Sequence, residues 1–226
     1  MPVLFVGHGS PMNAIEDDVW MGRRAPSRRS RPHARPRPPS SSSRGHFRHL
    51  SGSTTDAEPC PVAIVDAHYQ GGGAVVACVV ARRWTDALPS DERVVTVAAV
   101  LPYRPGAFFE RELPCILRVL SLVRGKFNAV VVDGYVDLDE RGTPGLGAHL
   151  HAQLAGAVPV VGVAKTAYQS SGFAVRVLRG SSQRPLFVTT RGISPADAAR
   201  LVERMHGEHR IPTLLARVDH LARGRV

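Results

Sequence analysis

From Pro61 onward the chain is punctuated by Val- and Ala-rich apolar runs of five to nine residues, and that length decides what it can fold into. Runs this short suit strands of a buried sheet, whereas a membrane-spanning helix needs about 20 apolar residues in succession. The predicted strands are 62–68 (VAIVDAH), 74–82 (AVVACVVAR), 93–101 (RVVTVAAVL), 128–133 (NAVVVD), 158–163 (VPVVGV), 174–179 and 185–189 (PLFVT). The turn-forming segments QGGG and TDALPSDE join the first three as an antiparallel meander. Helices are expected over 107–124, with Leu113, Ile116, Leu117 and Leu120 on one face, over 145–156, and over 194–206, where Ser194 or Asp197 favours the start. A meander followed by β-α-β units predicts an α/β domain with a mixed sheet and helices on its faces. There is no internal repeat.

Charge separates this domain from what precedes it. The formal net charge is +10, but residues 21–50 alone hold nine Arg and no Asp or Glu. Without those nine, 20 basic residues face 19 acidic ones, so a whole-chain argument for nucleic-acid binding from charge does not follow. Residues 21–60 are rich in Arg, Pro and Ser, with too few apolar side chains to offset the entropy of ordering, and are expected to be disordered. Residues 1–20 read as a short strand, a Gly-rich turn and a helix start. The domains expected are therefore 1–20, a basic linker 21–60, and a folded domain 61–226.

The three Cys, at 60, 78 and 115, form no C-x-x-C pair, which argues against a zinc site or a disulfide framework and fits a reducing cytoplasm. Cys78 and Cys115 lie in apolar runs and read as core residues. The N-terminus lacks a basic stretch followed by a long apolar one, so no secretory signal is expected.

Two acidic residues stand out. Asp66 lies within the apolar run VAIVDAHY, and Asp133 ends the run AVVVDGY. A carboxylate in or at the end of a central strand is costly unless paired or metal-bound, and strand C-terminal ends are where sites form in open α/β sheets. Two such carboxylates on neighbouring strands could hold Mg²⁺. For each alone, a turn-capping role is the plainer reading, since Asp133–Gly134 is a turn dipeptide.

A family resemblance shifts that balance. LPYRPGAFFERELP, VVVDGY, PVVGVAK, RPLFVTT and RIPTLLARVDHLAR resemble, in order and near their spacing, the motifs of endonuclease V over roughly residues 61–226. The resemblance implies a ribonuclease H-like fold, a mixed five-stranded sheet with flanking helices. It implies that Asp66, Glu112, Asp133 and Asp219 hold the metal, Mg²⁺ with Mn²⁺ as a substitute, and that Lys165 joins Asp66, Glu112 and Asp133 in catalysis. It places substrate contacts at Gly134 and at Tyr103, Pro105 and Gly106, where Tyr103 would fill the gap left by a flipped-out base. The implied activity is a DNA-repair endonuclease cutting the second phosphodiester 3′ to deoxyinosine, on DNA or inosine-containing RNA, in a cytoplasmic monomer with no membrane partner. His149 and His151 could contact phosphate or support the site, although a His on a helix surface is the plainer reading.

One segment departs from the family pattern. In DGYVDLDERGTPGLGAHL, Tyr135 and Val136 stand where the family has small residues, and Asp137, Asp139 and Glu140 add charge. This bears on recognition of the deaminated base more than on metal chemistry. The first residues, PVLFVGHGSPMNAIED, resemble the start of extradiol DOPA-type dioxygenases, with His8 at a metal-ligand position. The match stops near Asp18 and one His cannot make a metal site, so residues 1–20 read as a remnant, whether of a gene fusion, a truncation or a misplaced start. The alternatives are a binding protein of the same fold without the activity, or with altered specificity, and a dioxygenase.

Overall fold

The structure, a computed structural model, describes residues 60–225 apart from 103, 105, 106 and 169–171. The expectations for residues 1–59, and those for Tyr103, Pro105 and Gly106, lie outside the described residues.

A seven-stranded mixed sheet runs in the order β3-β2-β1-β4-β5-β7-β6. Its strands are β1 (Val62–Gln70), β2 (Gly73–Ala81), β3 (Asp91–Val97), β4 (Ala129–Asp133), β5 (Val160–Ala164), β6 (Val175–Val177) and β7 (Leu186–Arg191). The first five carry the ribonuclease H-like order 3-2-1-4-5, with β1, β4 and β5 mutually parallel. The expected meander is present. Gly71 and Gly72, at φ +57° and +83°, make the two-residue turn that joins β1 to antiparallel β2.

Helices cover both faces: α1 (Phe108–Leu120), α2 (Leu146–Gln153), α3 (Pro195–Glu203) and α4 (Thr213–Ala222). Period-two alternation sends Val62, Ile64, Val131 and Val161 to a core shared with α3 and α4, and Ala63, Val65, Val130 and Val132 to a second core under α1 and α2. The central strands are buried on both sides, which explains their unbroken apolar runs. Ser194 caps α3 as expected, its Oγ accepting from the Asp197 N–H at 3.1 Å.

Three expectations need correcting. The predicted strand over 93–101 ends at Val97. The predicted helix over 107–124 is shorter and turned about its axis, burying Glu112, Cys115, Ile116, Val119 and Leu120 while Leu113 and Leu117 are half-buried. That rotation points Glu112 inward. Finally, α4 was absent from the sequence reading, although Leu214, Leu215, Val218, Leu221 and Ala222 recur at helical spacing and are all buried.

Candidate active site

The parallel pairing of β1 with β4 sets Val65 opposite Val132, so Asp66 and Asp133 leave adjacent strands at the same level. Alternation puts both on the side that packs α4, because Ile64 and Val131, two residues earlier, belong to that core. Asp219, on the outer turns of α4, completes the group: one carboxylate oxygen from each of Asp66, Asp133 and Asp219 lies within 4.8 Å of the others. A shallow recess lined by Ile64, Val65, Asp66, Val131, Asp133, Lys165, Leu215 and Val218 opens onto them.

Two cations flank the acids. Lys165, just past the end of β5, places Nζ 2.7 Å from Asp133 Oδ2 and 3.5 Å from Asp219 Oδ1. Burial opposes the lysine's charge, but Asp133, Asp66 and Asp219 outweigh it and hold its pKa above the ordinary value. Arg223, one helical turn beyond Asp219, donates from Nε to Asp219 Oδ2 at 2.9 Å. Burial pushes the Asp219 pKa up, yet the Arg223 hydrogen bond and the charges of Lys165 and Arg223 hold it below the usual carboxylate range.

Asp66 is compensated far less. Burial, then the charge of Asp133, pushes its pKa up to about 7 against the opposing pull of Lys165 and of the Ala67 N–H, which donates to Oδ1 at 2.8 Å. Glu112, on α1 and the other face of the sheet, lies outside that group of three but feels the charges of Asp66 and Asp133. It is 8% exposed, and burial followed by the charges of Asp66 and Asp133 raises its pKa well above normal. Arg111 and the Tyr69 hydroxyl favour its ionised form, but Glu112 Oε2, Tyr69 OH and Arg111 Nε are all buried without a well-formed hydrogen bond among the described residues. The Arg111 guanidinium instead lies 3.9 Å over the Tyr69 ring.

The loop after Asp133 turns away from the acids. Gly134, at φ +131°, begins it, and a side chain at Gly162 would meet the Gly134 carbonyl oxygen at 2.5 Å, so the loop crosses β5 only because Gly162 lacks one. Tyr135 and Val136 are 2% and 0% exposed. The Tyr135 hydroxyl donates to the Thr166 carbonyl at 2.9 Å and accepts from the Tyr168 N–H at 3.1 Å, clasping the segment that follows Lys165. The loop acids are engaged elsewhere: Asp137 pairs with Arg191 at 2.7 Å, and Asp139 accepts from the Arg141 and Thr143 backbone at 2.9 Å each. His149 stacks on Phe109 at 3.5 Å, and neither it nor His151 joins the acid group. Arg223 escaped the sequence reading because its placement depends on α4, whose Asp219–Arg223 spacing of four was the available signal.

A ribonuclease H-like sheet on which acids from two adjacent central strands converge with one from α4 defines the class. Within it, the endonuclease V family profile matches residues 50–175, more than half of the chain, and the chain belongs to that family. Endonuclease V of Thermus thermophilus is 31% identical over 149 residues, 56% of this chain, and the chain spans 64% of that relative's length. Among solved structures, endonuclease V of Streptomyces avermitilis shares 26% identity with a TM-score of 0.59, covering 74% of this chain and 82% of that one. Ciona intestinalis endonuclease V, in complex with a 24mer DNA containing an inosine followed by a ribo-adenosine, shares the fold at 18% identity and a TM-score of 0.61, covering 74% of this chain and 85% of that one.

Proposed function

We propose that the chain is a divalent-metal-dependent endonuclease of nucleic acid, cutting the second phosphodiester 3′ to deoxyinosine and acting in the cytoplasm as a monomer. The observation that carries this reading is the convergence of Asp66, Asp133 and Asp219 within 4.8 Å, with the partnerless Glu112 Oε2 buried nearby. An all-carboxylate donor set suits a hard cation, and burial, then the charge of Asp133, raises the Asp66 pKa despite the opposing charge of Lys165, which a bound cation would relieve. The fit is therefore to Mg²⁺, with Mn²⁺ as a substitute, held by Asp66, Asp133 and Asp219 with Glu112 as a further ligand. A bound ion of this kind supplies Lewis-acid polarisation of the phosphate and of a water.

The chain's own groups hold the reacting parts. Asp66, within β1, and Asp133, at the end of β4, fix the geometry; Lys165 offsets charge on the phosphate; Gly134 leaves the approach beside Asp133 free of a side chain. Water oxygen bonds to phosphorus, the P–O3′ bond breaks, and the water proton ends on the leaving oxygen, giving 3′-OH and 5′-phosphate. Tyr103, Pro105 and Gly106 are assigned to the substrate, and the Arg-rich residues 21–60 to salt-sensitive affinity for phosphate. No helix of the described residues is long and apolar enough to cross a membrane.

The test is nicking of an inosine-containing duplex, and of the matching RNA, with Mg²⁺, with Mn²⁺ and with EDTA. Metal-dependent cleavage at the second linkage supports the reading; no cleavage with either metal sinks it. A second reading, a nuclease with relaxed specificity, is favoured by the burial of Tyr135, which fills the space beside the Asp133–Gly134 turn with Tyr168 and Phe173. Equal cleavage of inosine and undamaged strands would support it.

A further inference from the structure

Arg223 stands at the end of α4, and two features separate it from an ordinary helix-terminal cation. The first is direction. Its backbone N–H closes the helix on the Asp219 carbonyl at 3.1 Å, while its side chain turns back along the helix so that Nε meets Asp219 Oδ2 at 2.9 Å. The other oxygen of the same carboxylate faces Lys165 Nζ at 3.5 Å. Asp219 is thus held between two cations, one on each oxygen. The hydrogen bond to Asp219, and then the charges of Asp219, Asp66 and Asp133, raise the Arg223 pKa, so the guanidinium feels the whole group and not only its helical neighbour.

The second feature is unused capacity. Only Nε is engaged among the described residues; the two Nη groups donate to none of them, and the side chain is about one-third exposed, beside the acids. A planar fork with one edge tied to a carboxylate and the other free has the geometry that takes two oxygens of one phosphate. An exposed i,i+4 pair by itself stabilises a helix only slightly, so stability alone gives little reason for this placement. Asp219 orients the fork; the free N–H groups remain for a ligand.

Resting on the nuclease reading above, we infer that Arg223 is a phosphate-binding residue of this site, donating from its Nη groups to the non-bridging oxygens of the phosphodiester held at the acids, opposite Lys165. As phosphorus becomes five-coordinate its equatorial oxygens gain charge, and the fork strengthens its hydrogen bonds there. No proton leaves the guanidinium.

The test compares the full chain with Arg223→Gln, Arg223→Ala and, as a control on the same tail, Arg225→Gln. Binding of an inosine-containing duplex is followed by fluorescence anisotropy in Ca²⁺ over a range of salt, and nicking is followed in Mg²⁺. Arg223→Gln is expected to flatten the log–log salt slope by about 0.9, one phosphate contact. It should lower kcat by about 100-fold, the usual cost of losing one donor to developing charge, with the thermal midpoint unchanged. Methylguanidinium should restore part of the Arg223→Ala rate and leave the parent unaffected, and Arg225→Gln should match the parent throughout. A slope equal to the parent's overturns the contact whatever the rate does. If the slope flattens but the parent itself does not nick, the nuclease reading fails while the phosphate contact stands. If the parent nicks and Arg223→Gln equals it in slope and rate, the inference fails and the nuclease reading stands.

Discussion

The two sides of the acid group meet the same problem, negative charge at the end of a sheet, in opposite ways. On the α4 side, Asp133 and Asp219 are partly exposed and tied to Lys165 and Arg223 by contacts of 2.7–3.5 Å. On the α1 side, Glu112 is buried with an unpartnered oxygen, and Asp66, though on the α4 side, carries a pKa that burial pushes up to about 7. The compensated side is stable as it stands. The uncompensated side is costly as it stands, and a cation is the simplest agent that would relieve it. The sheet thus divides its acids into a pair hydrogen-bonded to cationic side chains and a pair, Asp66 and Glu112, whose burial outweighs the nearby charges of Lys165 and Arg111.

The largest effect expected from breaking this arrangement is on turnover. Asp133→Asn keeps the shape, removes one charge from the group and frees Lys165 from its closest partner. Mg²⁺-dependent nicking should fall by about 10³-fold or more, because metal and electrostatic terms carry most of such a barrier. Stability should change little, since the lost Lys165 pair and the relieved repulsion on Asp66 oppose one another. Single-turnover nicking together with thermal unfolding checks both, and a variant as active as the parent sinks the mechanism.

Next in size is a pH effect on the metal-free protein. The folded Asp66 titrates near 7, and the unfolded carboxyl about three units lower. Between those values the native state holds more proton, so stability falls as pH rises from about 4 to about 7, by up to about 1.4 kcal/mol per pH unit for one proton. Asp66→Asn should flatten that fall and be the more stable protein at pH 8. Denaturant unfolding of both proteins in EDTA across this range reads the difference, and parallel profiles would show Asp66 to be compensated after all.

The smallest effect concerns the clasp beside Lys165. Tyr135→Phe removes the hydroxyl that bridges Thr166 and Tyr168 and should cost about 1–2 kcal/mol in urea unfolding, with a modest loss of rate as Lys165 loosens. No change in either quantity would mean that the segment after Lys165 is held by its packing alone.

Much of this was legible in the chain. Short apolar runs marked all seven strands, the Gly pair after Gln70 marked the first hairpin, and Asp66 and Asp133 were conspicuous because carboxylates are rare within such runs. Their meeting follows from parallel pairing of β1 and β4, in keeping with the mixed sheet expected from a meander followed by β-α-β units. What could not be read was set by packing between elements. The rotation of α1 that buries Glu112 in place of Leu113 depends on the sheet beneath it. Recognising α4 required weighing Leu214, Val218 and Leu221 as one face across a Pro-led start with no side-chain cap. Arg223 then followed from α4, and the burial of Tyr135 from the close crossing over Gly162.

The most direct measurement of the central claim is a Mn²⁺ titration of the metal-free full chain at pH 7.5, followed by its thermal midpoint, beside Asp66→Asn and Glu112→Gln. A native state that binds the ion should be raised in stability by RT ln(1 + [Mn²⁺]/Kd), so the parent's midpoint should climb with concentration. Both variants should start at or above the parent and climb less, because each has lost uncompensated charge that the ion would neutralise. A parent that does not respond to Mn²⁺, or variants that climb as steeply as the parent, would contradict the claim that these acids form a divalent-cation site.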